Sequence, residues 1–144
     1  STSALGPGVV GWDWFAVQLD GDRELMYYRL RREDGTAAPL SEGSLVAPDG
    51  TTRSLAADDV RLEVRERWTS PDGEARYPVA WSLEAPSEEL ALTLEAVMPD
   101  QEWRRTFRYW EGAVEVRGTR RGEPVSGRGY VELTGYGGAP PPGS

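Results

Sequence analysis

The sequence predicts an all-β protein, folded as an antiparallel up-and-down β-barrel of about eight strands or more. Asp-Gly turn pairs recur at short intervals along the chain, at residues 20–21, 34–35, 49–50 and 72–73, and a Gly-rich run at 118–129 predicts a further turn. Between these turns, apolar and polar residues alternate with the period of two that is typical of strands. No window has apolar residues at helical spacing together with capping residues, and the best candidate, residues 99–105, is very short.

The alternation predicts strands at residues 10–19, 24–32, 42–47, 59–68, 76–85, 89–98, 105–117 and 127–136. The first of them, in the stretch GWDWFAVQL, is apolar on both faces. Trp12 and Trp14 lie on one face, and Phe15, Val17 and Leu19 lie on the other. We expect both faces of this strand to be covered, because an ordinary surface strand has one polar face.

The strands in the middle of the chain alternate cleanly and are joined by short turns. Val60, Leu62 and Val64, for example, alternate with Arg61 and Glu63, which predicts one dry face and one wet face. Three successive strands of this kind describe an antiparallel meander. An up-and-down barrel, which removes the sheet edges, is therefore favoured over a sandwich with Greek-key crossings.

Composition limits the chemistry that the protein can perform. The chain has 144 residues, which is one domain by length, and its net charge of −8 disfavours nucleic acid and anionic membranes as partners. The absence of Cys and His excludes disulfides, thiolate or imidazole metal sites and Ser-His-Asp catalysis. The carboxylates lack the spacing of a calcium loop, and no apolar run is long enough to span a membrane. We predict no metal, no cofactor and no transmembrane segment.

The remaining candidates for acid–base chemistry are carboxylates and tyrosines. Alternation places such side chains together on one face of each of the last two strands: Tyr109, Glu111 and Glu115 on the first, and Tyr130, Glu132, Thr134 and Tyr136 on the second. A Glu inside the barrel beside a Tyr would have a raised pKa and would suit general acid or base catalysis. Burial statistics favour the alternative, in which these acids solvate the outer face. For Asp13, a position at the rim of its strand, in water, is favoured over a buried functional acid.

Aromatic residues offer a second functional hypothesis, a pocket for an apolar ligand. A barrel of about eight strands can enclose one small molecule, and aromatic walls suit planar or polyene ligands. Candidates for such a wall are the aromatic residues of the strands, namely Trp12, Trp14, Tyr27, Tyr28, Trp68, Tyr77, Trp81, Trp103, Tyr109 and Trp110. The alternative, that these side chains are ordinary core residues, stays open at this point.

Several longer segments together resemble a known family. They are GWDWFAVQLDGDRELMYYRLRREDG, WTSPDGEARYPVAWSL, the DQE of residues 100–102, YWEGAVEVRG and GRGYVELTGY, and they cover nearly the whole chain in order. This pattern resembles the carotenoid 1,2-hydratase (hydroxyneurosporene synthase, CrtC) and AttH-like family, whose members include predicted secreted hydrolases. The resemblance implies a lipocalin-like barrel, and a protein built from two such barrels of which this chain is the C-terminal half. We expect residues 1–136 to form the barrel domain and residues 137–144, rich in Gly and Pro, to be a flexible tail or linker.

The family resemblance also implies a class of function. Its members add water to an isolated carbon–carbon double bond, and relatives act as hydrolases or pericyclases. Six residues match the family pattern, namely Trp12, Asp13, Trp14, Gln18, Tyr28 and Tyr130. From these and the sequence candidates we predict Asp13, Tyr130 and Glu132 as catalytic residues, and Trp12, Trp14, Gln18, Tyr28, Trp81 and Trp110 as ligand-binding residues.

The resemblance further implies what the domain would bind. We expect a small hydrophobic molecule, such as an isoprenoid or a polyketide, and either the N-terminal barrel or a second copy of the chain as protein partner. The domain alone would then be incomplete as a catalyst, and whether it is an enzyme by itself stays open. The alternative is a stand-alone carrier or a structural partner domain without catalysis. Secretion, a periplasmic location or membrane anchoring through an upstream signal would all be compatible with the sequence.

Overall fold

The computed structural model describes residues 8–39 and 41–137. Within this range the strands are β1 Val9–Leu19, β2 Arg23–Arg32, β3 Glu42–Val46, β4 Thr52–Ala56, β5 Arg61–Thr69, β6 Arg76–Ala85, β7 Leu90–Ala96, β8 Glu102–Arg104, β9 Arg108–Arg120 and β10 Glu123–Thr134. Two short 3-10 turns, Ala57–Asp59 and Pro86–Glu88, are the helical elements of the described residues. Neither is a helix that could cross a membrane.

The strands form one antiparallel sheet in the order β4-β3-β2-β1-β10-β9-β7-β6-β5, with β8 paired to β9. Apart from β8, strands that follow one another along the chain are paired in the sheet, with the exception of β4 and β5, and the first and last strands, β1 and β10, pair with each other. The two ends of the sheet, β4 and β5, are consecutive along the chain and are separated by the first 3-10 turn. This arrangement confirms the predicted all-β, antiparallel up-and-down fold and agrees with a lipocalin-like barrel, curled with one open seam.

All eight predicted strands are present, and two short ones were not predicted. Strand β4, with the sequence TRSLA, buries a single apolar side chain, Leu55, and β8 falls where the sequence indicated a helical turn. The Gly-rich run 118–129, predicted to be a turn, lies mostly inside β9 and β10. Its glycines allow close strand contact: a Cβ at Gly127 would stand 2.0 Å from the carbonyl oxygen of Gln18. Of the predicted tail, Gly137 bridges to Ala75, and residues 138–144 lie outside the described residues.

Large apolar side chains fill the inside of the curled sheet. On β1 the inward face carries Phe15, Val17 and Leu19, all buried, and the ring of Phe15 meets the edge of Trp81 at 5.4 Å between ring centroids. Other fully buried members are Leu25, Leu83, Leu90, Leu94, Trp110, Val114, Val131 and Leu133. Each such side chain contributes roughly 1.5–3 kcal/mol relative to its exposed state. The inward face of β1 is therefore core, and the Trp12 and Trp14 face lies outside.

The end of β10 departs from simple alternation. The sequence places Tyr136 on the same face as Tyr130 and Glu132, and this prediction is wrong. Gly135 adopts a left-handed conformation with φ of 79°, which turns the chain so that the Tyr136 ring packs inward, 5.9 Å from that of Tyr77. A non-glycine residue is also disfavoured there by space, because a Cβ would stand 2.2 Å from the carbonyl oxygen of Val10.

We predict that Gly135→Ala destabilises the protein more than Gly122→Ala does. Both glycines have φ of 79°, but no atom lies within 4 Å of a Cβ built at Gly122. Gly122→Ala should therefore cost about 1–2 kcal/mol for the backbone conformation alone. Gly135→Ala should lose this amount and a further ~1–3 kcal/mol, because its Cβ would clash with the carbonyl oxygen of Val10. Urea unfolding measures the free energy of unfolding of both variants. Equal losses for the two variants would contradict the packing described for Gly135.

Candidate functional site

Strand β1 carries polar groups on both sides of the sheet, and they form two separate clusters. Asp13 points inward and has no exposed surface. Trp12 points outward, and its indole Nε1 donates a hydrogen bond of 3.0 Å to Oε1 of Glu132 on β10. The two clusters differ in burial and in the number of hydrogen bonds that each carboxylate accepts, and this difference decides which of them is available for chemistry.

The inner cluster surrounds the carboxylate of Asp13 with four hydrogen bonds. Arg29 donates from Nε and Nη2 to Oδ2, at 3.1 and 2.9 Å. Arg31 and the hydroxyl of Tyr136 each donate to Oδ1 at 2.7 Å. Arg31 also donates to the carbonyl oxygen of Thr134, and its guanidinium lies 3.7 Å from the centroid of the Tyr136 ring. The cluster thus ties β1 and β2 to the end of β10.

Burial sets the protonation behaviour of this cluster. It raises the pKa of Tyr136 far above its ordinary value, and the neighbouring charge of Asp13 adds to the effect, so the phenol keeps its proton. For Arg29, burial alone would lower the pKa, but the charge and hydrogen bonds of Asp13 outweigh it and the pKa is raised. The prediction that Asp13 lies at the strand rim in water is therefore wrong. Because four donors occupy its carboxylate, Asp13 acts as a structural charge centre, and its predicted catalytic role finds no support in the geometry.

The outer cluster lies on what we call the aromatic face, the outward surface of β2, β1, β10 and β9. Strand register sets its residues in rows across the four strands. The central row runs Tyr28, Trp14, Glu132, Glu111, and the flanking rows add Leu30, Trp12 and Tyr109 on one side and Met26, Ala16 and Tyr130 on the other. Most of these side chains are half-buried, while Tyr130 and Met26 are exposed by 42% and 45%.

A carboxyl pair stands in the middle of the aromatic face. Glu132 and Glu111 are directly opposite each other on β10 and β9, where like charges repel. Burial, and then the charge of Glu132, raise the pKa of Glu111 above its ordinary value. Glu132 is held by the indole N–H of Trp12, and no described donor holds the carboxyl of Glu111 in the same way. The raised pKa means that Glu111 keeps its proton to a higher pH than an isolated Glu does, next to the carboxyl of Glu132 that Trp12 orients.

Two tyrosines flank the carboxyl pair. Burial, followed by the charge of Glu111, raises the pKa of both Tyr109 and Tyr130, which keeps their hydroxyl groups protonated at neutral pH. A shallow cavity of about 380 Å³ reaches Glu132 of the pair and is lined by Trp12, Trp14, Tyr28, Leu30 and Glu132. The arrangement thus places an apolar aromatic wall, a carboxyl group with a raised pKa and two hydroxyl groups within a few strand positions of one another.

Apart from Asp13, which belongs to the inner cluster, the predicted site residues fall into three places. The aromatic face brings together Trp12, Trp14, Tyr28, Tyr130 and Glu132. Gln18 lies exposed on the same side of β1, farther along the strand and opposite Arg128. Trp81 and Trp110 have no exposed surface; their rings meet at 6.4 Å inside the core, and Nε1 of Trp110 donates to the carbonyl oxygen of Pro99. These two Trp residues therefore act as core, and they do not belong to the aromatic face.

Glu111, Tyr109 and Leu30 belong to this face but were not among the predicted catalytic and ligand-binding residues. Glu111 was a candidate acid for which solvation of the outer face was favoured, and its position opposite Glu132 depends on the register of β9 and β10, which alternation alone does not give. Tyr109 and Leu30 join the face for the same reason. Among the described residues, no three acidic side chains come close enough together to hold a metal ion.

Comparison with known proteins identifies the family. The model of the AttH-like family matches residues 1–136. This chain belongs to the AttH-like family. No curated protein matches it significantly. A crystal structure from Nitrosomonas europaea, described as an AttH, superposes on this AttH-like chain with a TM-score of 0.80 and 36% sequence identity, over 92% of this chain and 41% of that one.

A second solved structure has the same fold. Kievitone hydratase from Nectria haematococca superposes with a TM-score of 0.73 and 20% identity, over 89% of the AttH-like chain and 40% of that protein. At this identity the likeness concerns the fold alone. The AttH-like chain therefore spans about two-fifths of the length of each of these two structures.

We predict that removing the buried carboxylate by Asp13→Asn destabilises the AttH-like chain by about 3–5 kcal/mol, because two buried guanidinium groups lose their counter-ion. The matched control is Glu89→Gln, which breaks the exposed pair of Glu89 and Arg121 at 3.7 Å. That variant should change the free energy of unfolding by ~1 kcal/mol or less. A loss for Asp13→Asn as small as that of the control would contradict the structural role of Asp13.

We further predict that Glu111→Gln stabilises the protein at pH 8 and not at acidic pH. A carboxyl group whose pKa is raised in the folded state binds its proton more tightly there, so its charged form lowers stability as the pH rises. The gain from Gln should disappear below about pH 4, where Glu111 is protonated in both states. Thermal unfolding across pH measures this, with Glu84→Gln as control because Glu84 is exposed and opposite Arg61. A gain that does not depend on pH would contradict the raised pKa.

Proposed function

We propose that this chain is the C-terminal lipocalin-like domain of a two-domain, hydratase-type protein, and that its aromatic face forms one wall of a pocket for an apolar ligand. The observation that carries the proposal is the Glu111 and Glu132 pair, set in the middle of an aromatic surface on the outside of the sheet. A carboxyl group with a raised pKa is an effective proton donor, and it is of little use for solvating a surface.

The second wall of the pocket would come from another domain. Trp12, Trp14 and Tyr28 are half-buried, and the cavity beside them is shallow and open. The chain also spans about two-fifths of the two solved structures of this fold, so a similar whole protein would have room for a second barrel. Covering the aromatic face would remove water from the carboxyl pair and complete a dry site.

The proposed reaction is the addition of water to a carbon–carbon double bond. Glu111 would donate its proton to one alkene carbon, and the aromatic rings of Trp14 and Tyr28 would stabilise the positive charge that develops on the other. A water molecule, oriented by Glu132 and the hydroxyl of Tyr130, would then add to that carbon. Its proton would return to Glu111, which restores the acid for another cycle. The substrate class would be an extended apolar molecule such as an isoprenoid or a polyketide, a carotenoid among them.

The name of the hydratase that shares the fold supports water addition as the reaction to test first.

A second candidate function is supported by a different observation, the packed interior of the barrel. Because Trp81 and Trp110 fill the space in which a carrier would hold its ligand, this domain would then serve as a structural partner, with the aromatic face buried against a second domain or a second copy of the chain.

The test compares two variants of the two-domain protein that contains this chain, with a polyene substrate and mass-spectrometric detection of the hydrated product. Glu111→Gln should lower kcat by about 10²–10⁴-fold while substrate binding persists. Glu115→Gln is the matched control. Glu115 lies on the same outward side of β9 as Glu111, four residues farther along the strand, and it is exposed. This variant should leave kcat unchanged.

Two outcomes would contradict the proposal. Full turnover by Glu111→Gln would remove the carboxyl pair from catalysis. A Trp14→Ala variant that loses stability but keeps the substrate affinity of the parent protein would favour the structural partner role.

A further inference from the structure

A second cavity, of about 840 Å³, lies at one end of the barrel, apart from the aromatic face. It occupies the region between β2 and the edge strand β5, at the open seam of the sheet. Strand β3 pairs with β2 only along residues 24–28, so Arg29 and Arg31 lie beyond this pairing. Both arginines line the cavity on the inward side, together with Tyr136.

The inner end of this cavity carries an excess of positive charge. Arg29 and Arg31 share a single counter-ion, the carboxylate of Asp13, and their side chains are exposed by only 12% and 7%. Two guanidinium groups against one carboxylate leave a net charge of about +1 in a poorly solvated place. An anion that enters the cavity and accepts hydrogen bonds from these guanidinium groups would stabilise this charge.

One donor of this cluster is available. Arg29 uses Nε and Nη2 for Asp13, while its Nη1 makes no hydrogen bond to any described residue. Arg31 is engaged through Nη1 with Asp13 and through Nη2 with the carbonyl oxygens of Thr134 and Gly135. A further guanidinium, that of Arg67 on β5, lines the same cavity, is exposed and pairs with no described carboxylate.

Carboxylates at the rim of the cavity do not neutralise the arginines. Glu33, Asp34 and Glu63 line it, and all three are exposed to water, where their charges are screened. None of them lies within 4.0 Å of the guanidinium of Arg29 or Arg31, whose described ion pairs are with Asp13 alone. Asp34 is engaged instead by the hydroxyl and the backbone N–H of Thr36. These rim charges would repel a dianion more strongly than a monoanion.

An apolar wall adjoins the cationic end. Leu62 and Val64 project from β5, are half-buried and pack against the core of the barrel. A ligand that satisfies both parts of the cavity would have one negative charge and a short apolar chain. We propose that this cavity binds an organic monocarboxylate, with its carboxylate between Arg29 and Arg67 and its apolar chain against Leu62 and Val64. This site is distinct from the proposed hydration site on the aromatic face.

The test is isothermal titration of the chain with sodium octanoate and, separately, with 1-octanol, which has the same chain length but no charge. Octanoate should bind, and octanol should bind about tenfold more weakly because it cannot form a charge-assisted hydrogen bond. Arg67→Gln should weaken octanoate binding by about tenfold for the same reason. In a parallel NMR experiment, octanoate should shift the signal of the Arg29 Nε–H group.

Two control variants distinguish binding in this cavity from a general effect of surface charge and from binding on the aromatic face. Arg61→Gln removes an exposed arginine of the same strand, opposite Glu84, and should leave the affinity for octanoate unchanged. Trp14→Ala alters the aromatic face and should also leave it unchanged, so that failure of the hydration proposal would not affect this result. Equal binding of octanol and octanoate, equal losses for Arg61→Gln and Arg67→Gln, or no binding of octanoate would each overturn the proposal.

Discussion

The buried carboxylate of Asp13 joins parts of the barrel that are far apart in the sequence. It connects β1 to two arginines of β2 and to the hydroxyl of Tyr136, which lies 123 residues away along the chain. A buried ion is unfavourable by several kcal/mol unless its partners are in place. The pairing of β1 with β2, the pairing of β1 with β10 and the turn at Gly135 therefore depend on one another. At one end of the barrel, β1, β2 and the end of β10 pack around this charge, and apolar packing of Phe15 and its neighbours fills the rest.

The same constraint positions the outer surface. Because side chains alternate along a strand, placing Asp13 inside puts Trp12 and Trp14 outside. The hydroxyl of Thr134 accepts the backbone N–H of Trp12, and its carbonyl oxygen accepts a hydrogen bond from Arg31. One residue of β10 thus links the inner cluster to the strand that carries the aromatic face. The register that results brings Glu132 within hydrogen-bond distance of the Trp12 indole.

Much of this architecture can be predicted from the sequence, because alternation and turn residues depend on local physics. Eight of the ten strands and the two apolar faces of β1 follow from these rules. What escaped prediction depends on contacts between distant residues. Asp13 is buried only because two arginines of β2 hold its carboxylate. The sequence alone does not show whether those arginines point to Asp13 or to water. The inward turn of Tyr136 follows from the positive φ of Gly135, and the partnership of Glu111 with Glu132 follows from register. Likewise, Trp81 and Trp110 have the residue type of a ligand wall, and only three-dimensional packing shows that they are core.

The open seam of the barrel has a consequence for association between molecules. An unpaired strand edge presents backbone groups to which another chain can add a strand. Here one edge, β4, is only five residues long, and the other, β5, is interrupted by shifts in register around Glu66 and carries several charged side chains in the run RLEVRER. Short length, irregular pairing and charge each discourage strand addition. The molecule is thereby protected from edge-to-edge aggregation at its seam.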